Sequence, residues 1–192
     1  MHKTRFILAS ASPRRYELLQ EMGIAPVVCP TDADENIDIP LTPEETVEVL
    51  SRIKANAYPE ELKENEILIA ADTVVALDNE ILGKPRDRQD AVNMLRSLSD
   101  RAHRVCTGVT LTTRYKTVTS HDTTYVTFRP MSDEEIEAYV DTGDPMDKAG
   151  AYGIQGEAGK FVSSTNGSLN NVIGLPTELI KEILSTEFDI KF

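Results

Sequence analysis

Tryptophan is absent from this 192-residue chain, histidine occurs three times and cysteine twice. Cys29 and Cys106 are far apart and in no CxxC spacing. That excludes a disulfide framework and a paired-cysteine zinc site legible from sequence, and it predicts a reducing, cytoplasmic setting. Positive charge is scarce, with 20 Lys+Arg against 32 Asp+Glu and a formal net charge of −12. Binding to nucleic-acid polymers or anionic membranes is driven by clustered positive charge, so both are excluded as expected partners. A small phosphate ligand stays compatible if cations converge locally or a metal mediates. Long apolar runs are missing as well: nothing spans a bilayer, and the run from Phe6 to Ala9 is too short for a leader before Arg14 and Arg15 follow. Neither GxxxxGK[ST] nor GxGxxG occurs; the nearest run, Gly150 to Gly156, has the wrong spacing. What is present is 40% hydrophobic and 27% charged residues at a mean hydropathy of −0.29. This is enough to bury a full core in one domain, or in two small lobes around a cleft.

Local patterns divide the chain. Phe6 to Ala9 reads as a buried strand, followed by Ser12-Pro13 as N-cap and first helical residue, a stripe of Leu18, Leu19 and Met22, and Gly23 as terminator. Pro26 to Cys29 reads as a second strand, leading into the acidic loop Asp32 to Asn36. Thr42-Pro43-Glu44-Glu45 is a capping box opening a helix through Val47, Leu50 and Ile53. Ile67 to Leu77 is the strongest buried-strand signal, turning at Asp78-Asn79-Glu80 into Ile81-Leu82. A helix carrying Ala91, Leu95 and Leu98 comes next, then a hairpin of 104–113 and 117–128, a capping box at Ser132, a Gly- and Asn-rich stretch over 143–176 and a last helix around Leu179 to Leu184. Helices and strands alternate without the beat of repeated βαβ units, which predicts an α/β fold with a mixed sheet flanked by helices. No linker or internal repeat divides residues 1–192, so a single domain is expected.

Four features break these patterns. Ser10-Ala11-Ser12-Pro13-Arg14-Arg15 places two hydroxyls, a helix N-terminus and two guanidinium forks directly after a strand, the chemistry of an anion cradle; a plain capped helix with solvated arginines is the bland alternative. Asp72 is a carboxylate inside an apolar strand, where an unpaired charge is costly and its removal would stabilise the fold; a metal, a cation, an exposed cleft edge or backbone amides would each compensate it. Thr73 beside it reads equally well as an ordinary strand residue. Lys54 falls on the apolar stripe of its helix, a position from which lysines commonly snorkel to solvent. Lys84, in Gly83-Lys84-Pro85, reads as a turn lysine. The fourth feature, Asp144 to Gln155, mixes Asp147 and Lys148 with small residues and a glutamine, as a close-fitting loop over a ligand would. Glu35 in the acidic loop is a metal-ligand candidate or a solvated charge.

Taken together, Ser10 to Arg15, Ala71-Asp72-Thr73-Val74-Val75, Gly83-Lys84-Pro85, Asp147 to Gly156 and Asn171-Val172-Ile173-Gly174-Leu175-Pro176 resemble the Maf family of nucleoside triphosphate pyrophosphatases from about residue 5 to 185. The resemblance implies an inosine-triphosphatase-like elongated mixed sheet, two lobes with a central cleft, and a homodimer. It implies hydrolysis of a nucleoside triphosphate to monophosphate and pyrophosphate with Mg²⁺ or Mn²⁺. Tyr152-Gly153-Ile154-Gln155-Gly156 looks like the subgroup acting on dTTP and UTP, with modified pyrimidine triphosphates as a further substrate class. Carried over by motif, Asp72 would accept the proton, Arg14, Thr73 and Gln155 would set specificity, and Glu35, Lys54 and Lys84 would line the cleft. The chemistry fits that assignment: Asp72 and Glu35 would hold the cation or activate water, and Arg14, Arg15, Lys54 and Lys84 would neutralise phosphate. Asp144 and Leu169 depart from the Glu and the aromatic residue expected there. The resemblance also carries a rival function, a nucleotide-binding regulator of septum formation and cell division with little turnover.

Overall fold

The apolar run that dominates the sequence becomes the spine of the molecule. In the computed structural model, which describes residues 4–191, strand β3 spans Glu66–Leu77 and all but one of its twelve residues are buried. Met1–Lys3, the start of the segment weighed as a leader, and Phe192 lie outside the described residues. Before β3 come β1 (Arg5–Leu8), α1 (Pro13–Glu21), β2 (Val27–Val28) and α2 (Pro43–Asn56). After it come β4 (Glu80–Leu82), α3 (Arg88–Leu98), β5 (Ala102–Thr112), β6 (Thr117–Phe128) and α4 (Asp133–Asp141). Three short 3₁₀ turns over Asp144–Asp147, Ala149–Ala151 and Glu157–Phe161 lead to β7 (Val162–Asn166), α5 (Leu169–Ile173) and α6 (Thr177–Phe188). Ser12 caps α1 ahead of Pro13, and the capping boxes at Thr42 and Ser132 form with both reciprocal bonds, as their sequences predict.

The sheet runs β2-β1-β3-β5-β6-β7 with β4 added to β3; β1 is parallel to β2 and β3, and the other pairings are antiparallel. One consequence of register positions everything that follows. On one edge of β3, β1 pairs with residues 66–69 and β4 with residues 75–77, whereas β5 pairs along the other edge from Leu68 to Ala76. The first edge is therefore open between β1 and β4, and Asp72 and Thr73 sit in that opening.

Alternation along β3 divides the packing. Ile67, Ile69 and Ala71 face a core with Leu19, Leu111, Ile180 and Leu184, while Val75 and Leu77 on the same side face a second core with Leu95, Phe128, Tyr139 and Phe161. Thr73 separates the two. On the opposite side Leu68 and Ala70 meet Ala55, and Val74 meets Val47 of α2, with Asp72 between them. The molecule thus has two lobes flanking the open stretch of β3, and the strands of one sheet run through both. Helix α2 crosses β5 at Gly108, where even a methyl group would lie 2.1 Å from the Val47 carbonyl oxygen. Strand β7 and helix α5 emerge from the stretch read only as Gly- and Asn-rich: β7 is a largely exposed edge strand with one aliphatic residue, and α5 is too short to show a period.

Candidate active site

The opening beside β3 is the floor of a cleft of about 570 Å³, within the usual range for a small-molecule site. Its wall includes Ser12, Arg14, Arg15, Lys54, Asp72, Thr73, Lys84 and Gln155; Ser10 and Glu35 stand one bond behind it. The residues singled out in sequence, scattered over more than a hundred positions, therefore converge.

Asp72 is 8% exposed and is paired with a cation, one of the compensations left open by the sequence, so the expectation that its removal would stabilise the fold does not hold. Lys54 Nζ donates to Asp72 Oδ1 and lies 3.4 Å from Glu35 Oε1. Snorkelling does not describe Lys54, whose side chain is 18% exposed and points at the strand. The reason is geometric: α2 lies on the face of β3 to which Asp72 points, and Lys54 is in its last turn. The acidic loop brings Glu35 to the same ammonium, so two carboxylates converge on one point from separate elements.

Arg14 and Arg15 are adjacent in sequence but differ in role. Arg15 Nε donates to the Gly174 carbonyl, Nη1 to the Ala71 carbonyl and Ser10 Oγ, and Nη2 to Thr73 Oγ1 at 3.2 Å. The Ala71 carbonyl is one of the groups that the open edge of β3 leaves without a strand partner, so the guanidinium stands in for the missing neighbour. Desolvation lowers the Arg15 pKa and the field of Asp72 opposes it. Sequence reading gave Arg15 to the triphosphate; the structure commits four of its five N–H groups to the protein. Arg14, by contrast, is exposed at the cleft wall with no hydrogen-bond or ion-pair partner among the described residues, and so is Lys84.

Proton counting orders the groups behind Arg15. Thr107 Oγ1 donates to the Asn171 carbonyl, so its single proton is used and the 2.9 Å contact to Thr73 must be donated by Thr73. The sequence Arg15 to Thr73 to Thr107 to Asn171 is then directional, leaving the Thr73 oxygen only acceptor capacity toward a ligand. Ser10 Oγ accepts from the Ser12 N–H and from Arg15, and Ser12 Oγ caps the Arg15 N–H. These hydroxyls build the turn that aims the two arginines.

The far wall is the loop Gly150 to Gly156. Gly150 has φ +69° and lies so close to Val75 that a Cβ would meet its side chain at 2.8 Å. Its N–H donates to the Gly83 carbonyl, tying this loop to the turn that carries Lys84. Gln155 is exposed into the cleft with no hydrogen-bond partner among the described residues. Tyr152 is buried beneath the loop, its Oη 2.6 Å from His103 Nε2. Burial lowers the His103 pKa to about 4, so the ring is neutral. Sequence reading noted Lys148 within the loop feature but gave it no role in the site; it lines the cleft and donates to the Asp144 carbonyl oxygen, to Asp144 Oδ1 and to Asp147 Oδ1. The Asp-Lys pair within its motif was the available signal.

Cations with free donors, a buried carboxylate at the floor and an amide with no partner among the described residues line one cleft, a set of groups complementary to a small polyanion that bears a hydrogen-bonding head. The Maf-like protein family model matches residues 5–187, and the chain belongs to that family. It is 46% identical over 189 residues to the dTTP/UTP pyrophosphatase of Bacillus velezensis, covering 97% of this chain and 98% of that protein. It is 46% identical over 185 residues to the protein of the same name from Symbiobacterium thermophilum, covering 94% and 93%. Among solved structures the Ham1 protein of Staphylococcus aureus aligns over 65% of this chain and 72% of its own, at 17% identity and a TM-score of 0.43.

Proposed function

We propose that this protein hydrolyses dTTP and UTP to the nucleoside monophosphate and pyrophosphate. The observation that carries the reading is the division of labour in the cleft, supported by near full-length identity to proteins named for that reaction. Arg14 and Lys84, free of internal partners, neutralise the triphosphate. Asp72, buried at the floor, takes the proton from the water that attacks the α-phosphorus, and charge on the departing pyrophosphate is met by the same cations. Lys54 orients Asp72 and has one N–H left for a phosphate oxygen. Gln155 offers one donor and one acceptor, the complement of O4 and N3–H of uracil or thymine.

The residues fit a divalent cation. Asp72 and Glu35 converge on one ammonium, and no group of three His, Cys, Asp or Glu forms among the described residues, so the protein contributes two carboxylates and substrate phosphates supply the rest. That donor set suits Mg²⁺ or Mn²⁺. When bound, such an ion neutralises phosphate charge. No described helix is long and apolar enough to cross a membrane, and both cysteines are free; the reading is completed by a cytoplasmic homodimer with one domain per chain, whose mass sedimentation reads directly.

The test is a panel of dTTP, UTP, GTP and modified pyrimidine triphosphates with Mg²⁺ or Mn²⁺, scored for monophosphate and pyrophosphate. Release of pyrophosphate from the pyrimidines is expected. Release of orthophosphate overturns the reaction, and tight nucleotide binding without release favours the regulatory function instead.

A further inference from the structure

Lys148 lines the same cleft as Arg14 and Lys84, yet its donors are spent. An ammonium has three N–H groups, and those of Lys148 meet three acceptors at 2.6, 2.9 and 2.9 Å: the carbonyl and carboxylate of Asp144 and the carboxylate of Asp147. Its side chain is 13% exposed. Desolvation works against its charge, but the hydrogen bonds it donates to Asp147 and Asp144, with the attraction of their charges, outweigh it and raise the pKa. Asp144 is held on its other oxygen by Tyr139 Oη of α4 at 2.7 Å. The carbon stem of Lys148 lies against the ligand loop, since a Cβ on Gly153 would sit 2.9 Å from Lys148 Cε and one on Gly156 would sit 3.4 Å from Asp144 Oδ2. Two glycines of the loop thus bed onto this charged pair, and Gln155 lies between them.

We propose that Asp144 and Lys148 form a latch that holds the Gly150–Gly156 loop and thereby sets base selectivity, Lys148 being a positioning residue and not a phosphate ligand. The proposal rests on the pyrophosphatase reading and deepens it. A phosphate ligand must present free donors to substrate; a latch must have none, and must contact the loop. Lys148 meets both conditions of a latch; Arg14 and Lys84, which have no hydrogen-bond or ion-pair partner among the described residues, fail the first.

Lys148→Met keeps the stem and removes the charge; Asp144→Asn keeps the shape and weakens the acceptor. In both, KM for UTP should rise about tenfold while kcat changes less than about threefold, and the UTP over GTP ratio of kcat/KM should fall about tenfold. Inhibition by pyrophosphate, which engages only the phosphate end, should be unchanged. A pyrophosphate inhibition constant raised along with a uniform loss on every nucleotide would overturn the latch and make Lys148 a phosphate ligand. An unchanged UTP over GTP ratio would overturn it too. Amide exchange over residues 149–156, faster in both variants than in the parent, reads the latch without turnover. If the parent released no pyrophosphate, the functional reading would fail while exchange still decided the latch; unchanged exchange overturns it. Asp144→Glu, which restores the carboxylate, should recover part of both signals.

Discussion

Asp72 and Gly108 are partners in the β3–β5 ladder, so the residue opposite the buried carboxylate is the one residue type that lets α2 press its backbone onto the sheet. The close approach at Val47 brings Lys54, two turns further along α2, within reach of Asp72. Gly108→Ala should lift the helix, because the clash is with backbone atoms at 2.1, 2.3 and 2.8 Å and cannot be relieved by a rotamer. We expect a loss of about 3 kcal/mol or more in urea unfolding, at the upper end of overpacking effects, and a lower kcat in the fraction that folds. Wild-type stability would show that the helix seats itself elsewhere.

Asp72→Asn should lower kcat by roughly a hundredfold or more, the scale of a lost general base. Because the carboxylate is paired with Lys54, its neutralisation should also cost about 1 to 3 kcal/mol, and not stabilise the fold. Turnover close to the parent's would transfer the proton to another acceptor, with Glu35 next in position.

The two arginines should separate cleanly. Arg14→Ala should reduce kcat/KM about tenfold or more on every nucleoside triphosphate while leaving the melting temperature unchanged, since it has no internal partner and each charge-assisted bond to phosphate contributes about 1.5 to 3 kcal/mol. Arg15→Ala should reduce activity and also stability, because the carbonyls of Ala71 and Gly174 lose their donor. Full stability in Arg15→Ala would return that residue to the phosphates.

Gln155→Glu leaves uracil O4 facing an acceptor, and a mispaired polar group at about 1 to 3 kcal/mol corresponds to a 5- to 150-fold loss with UTP and dTTP. GTP, whose base edge offers two donors, should gain relative to UTP. The comparison to make is UTP over GTP in parent and variant; an unaltered ratio would place base selection in the loop backbone.

His103 gives the pH dependence a separate source. Its pKa is about 4 in the fold against 6.5 unfolded, so the stability it contributes is complete above pH 6.5 and is lost as the pH falls toward 4. The loss amounts to about 3 kcal/mol at 1.36 kcal/mol per unit. Glu135, held at about 2 beside Arg129 against 4.5 unfolded, gives up its contribution mainly below pH 4.5. Urea midpoints at pH 7 and pH 4.5 should therefore differ less in His103→Gln than in the parent, and an equal difference would show that the slope has another origin.

Residues that violate a periodic pattern were legible in sequence, and their partnerships were not. Asp72 and Lys54 each stand out as charges on apolar faces, but the bond between them depends on how deeply α2 sits, which Gly108 decides and no local pattern states. Arg15 was readable in principle: with Leu18, Leu19 and Met22 it completes an i, i+3, i+4, i+7 set, placing it on the buried face of α1 while Arg14 falls outside that set. Strong elements such as β3 and the two capping boxes announce themselves because many residues agree. Strand β7, whose pairing with β6 supplies the order its side chains lack, does not.

The uninterrupted strands beneath the cleft carry a last consequence. Residues on either side of Asp72 belong to different cores, yet they are consecutive in one ladder with β5, and β5 is zipped to β6 from Ala102 to Thr112. Neither lobe can melt without stripping hydrogen bonds from the other, so the two are expected to unfold together in a single transition. A change in the width of the cleft would then have to bend that ladder, since the strands offer no flexible hinge between the lobes.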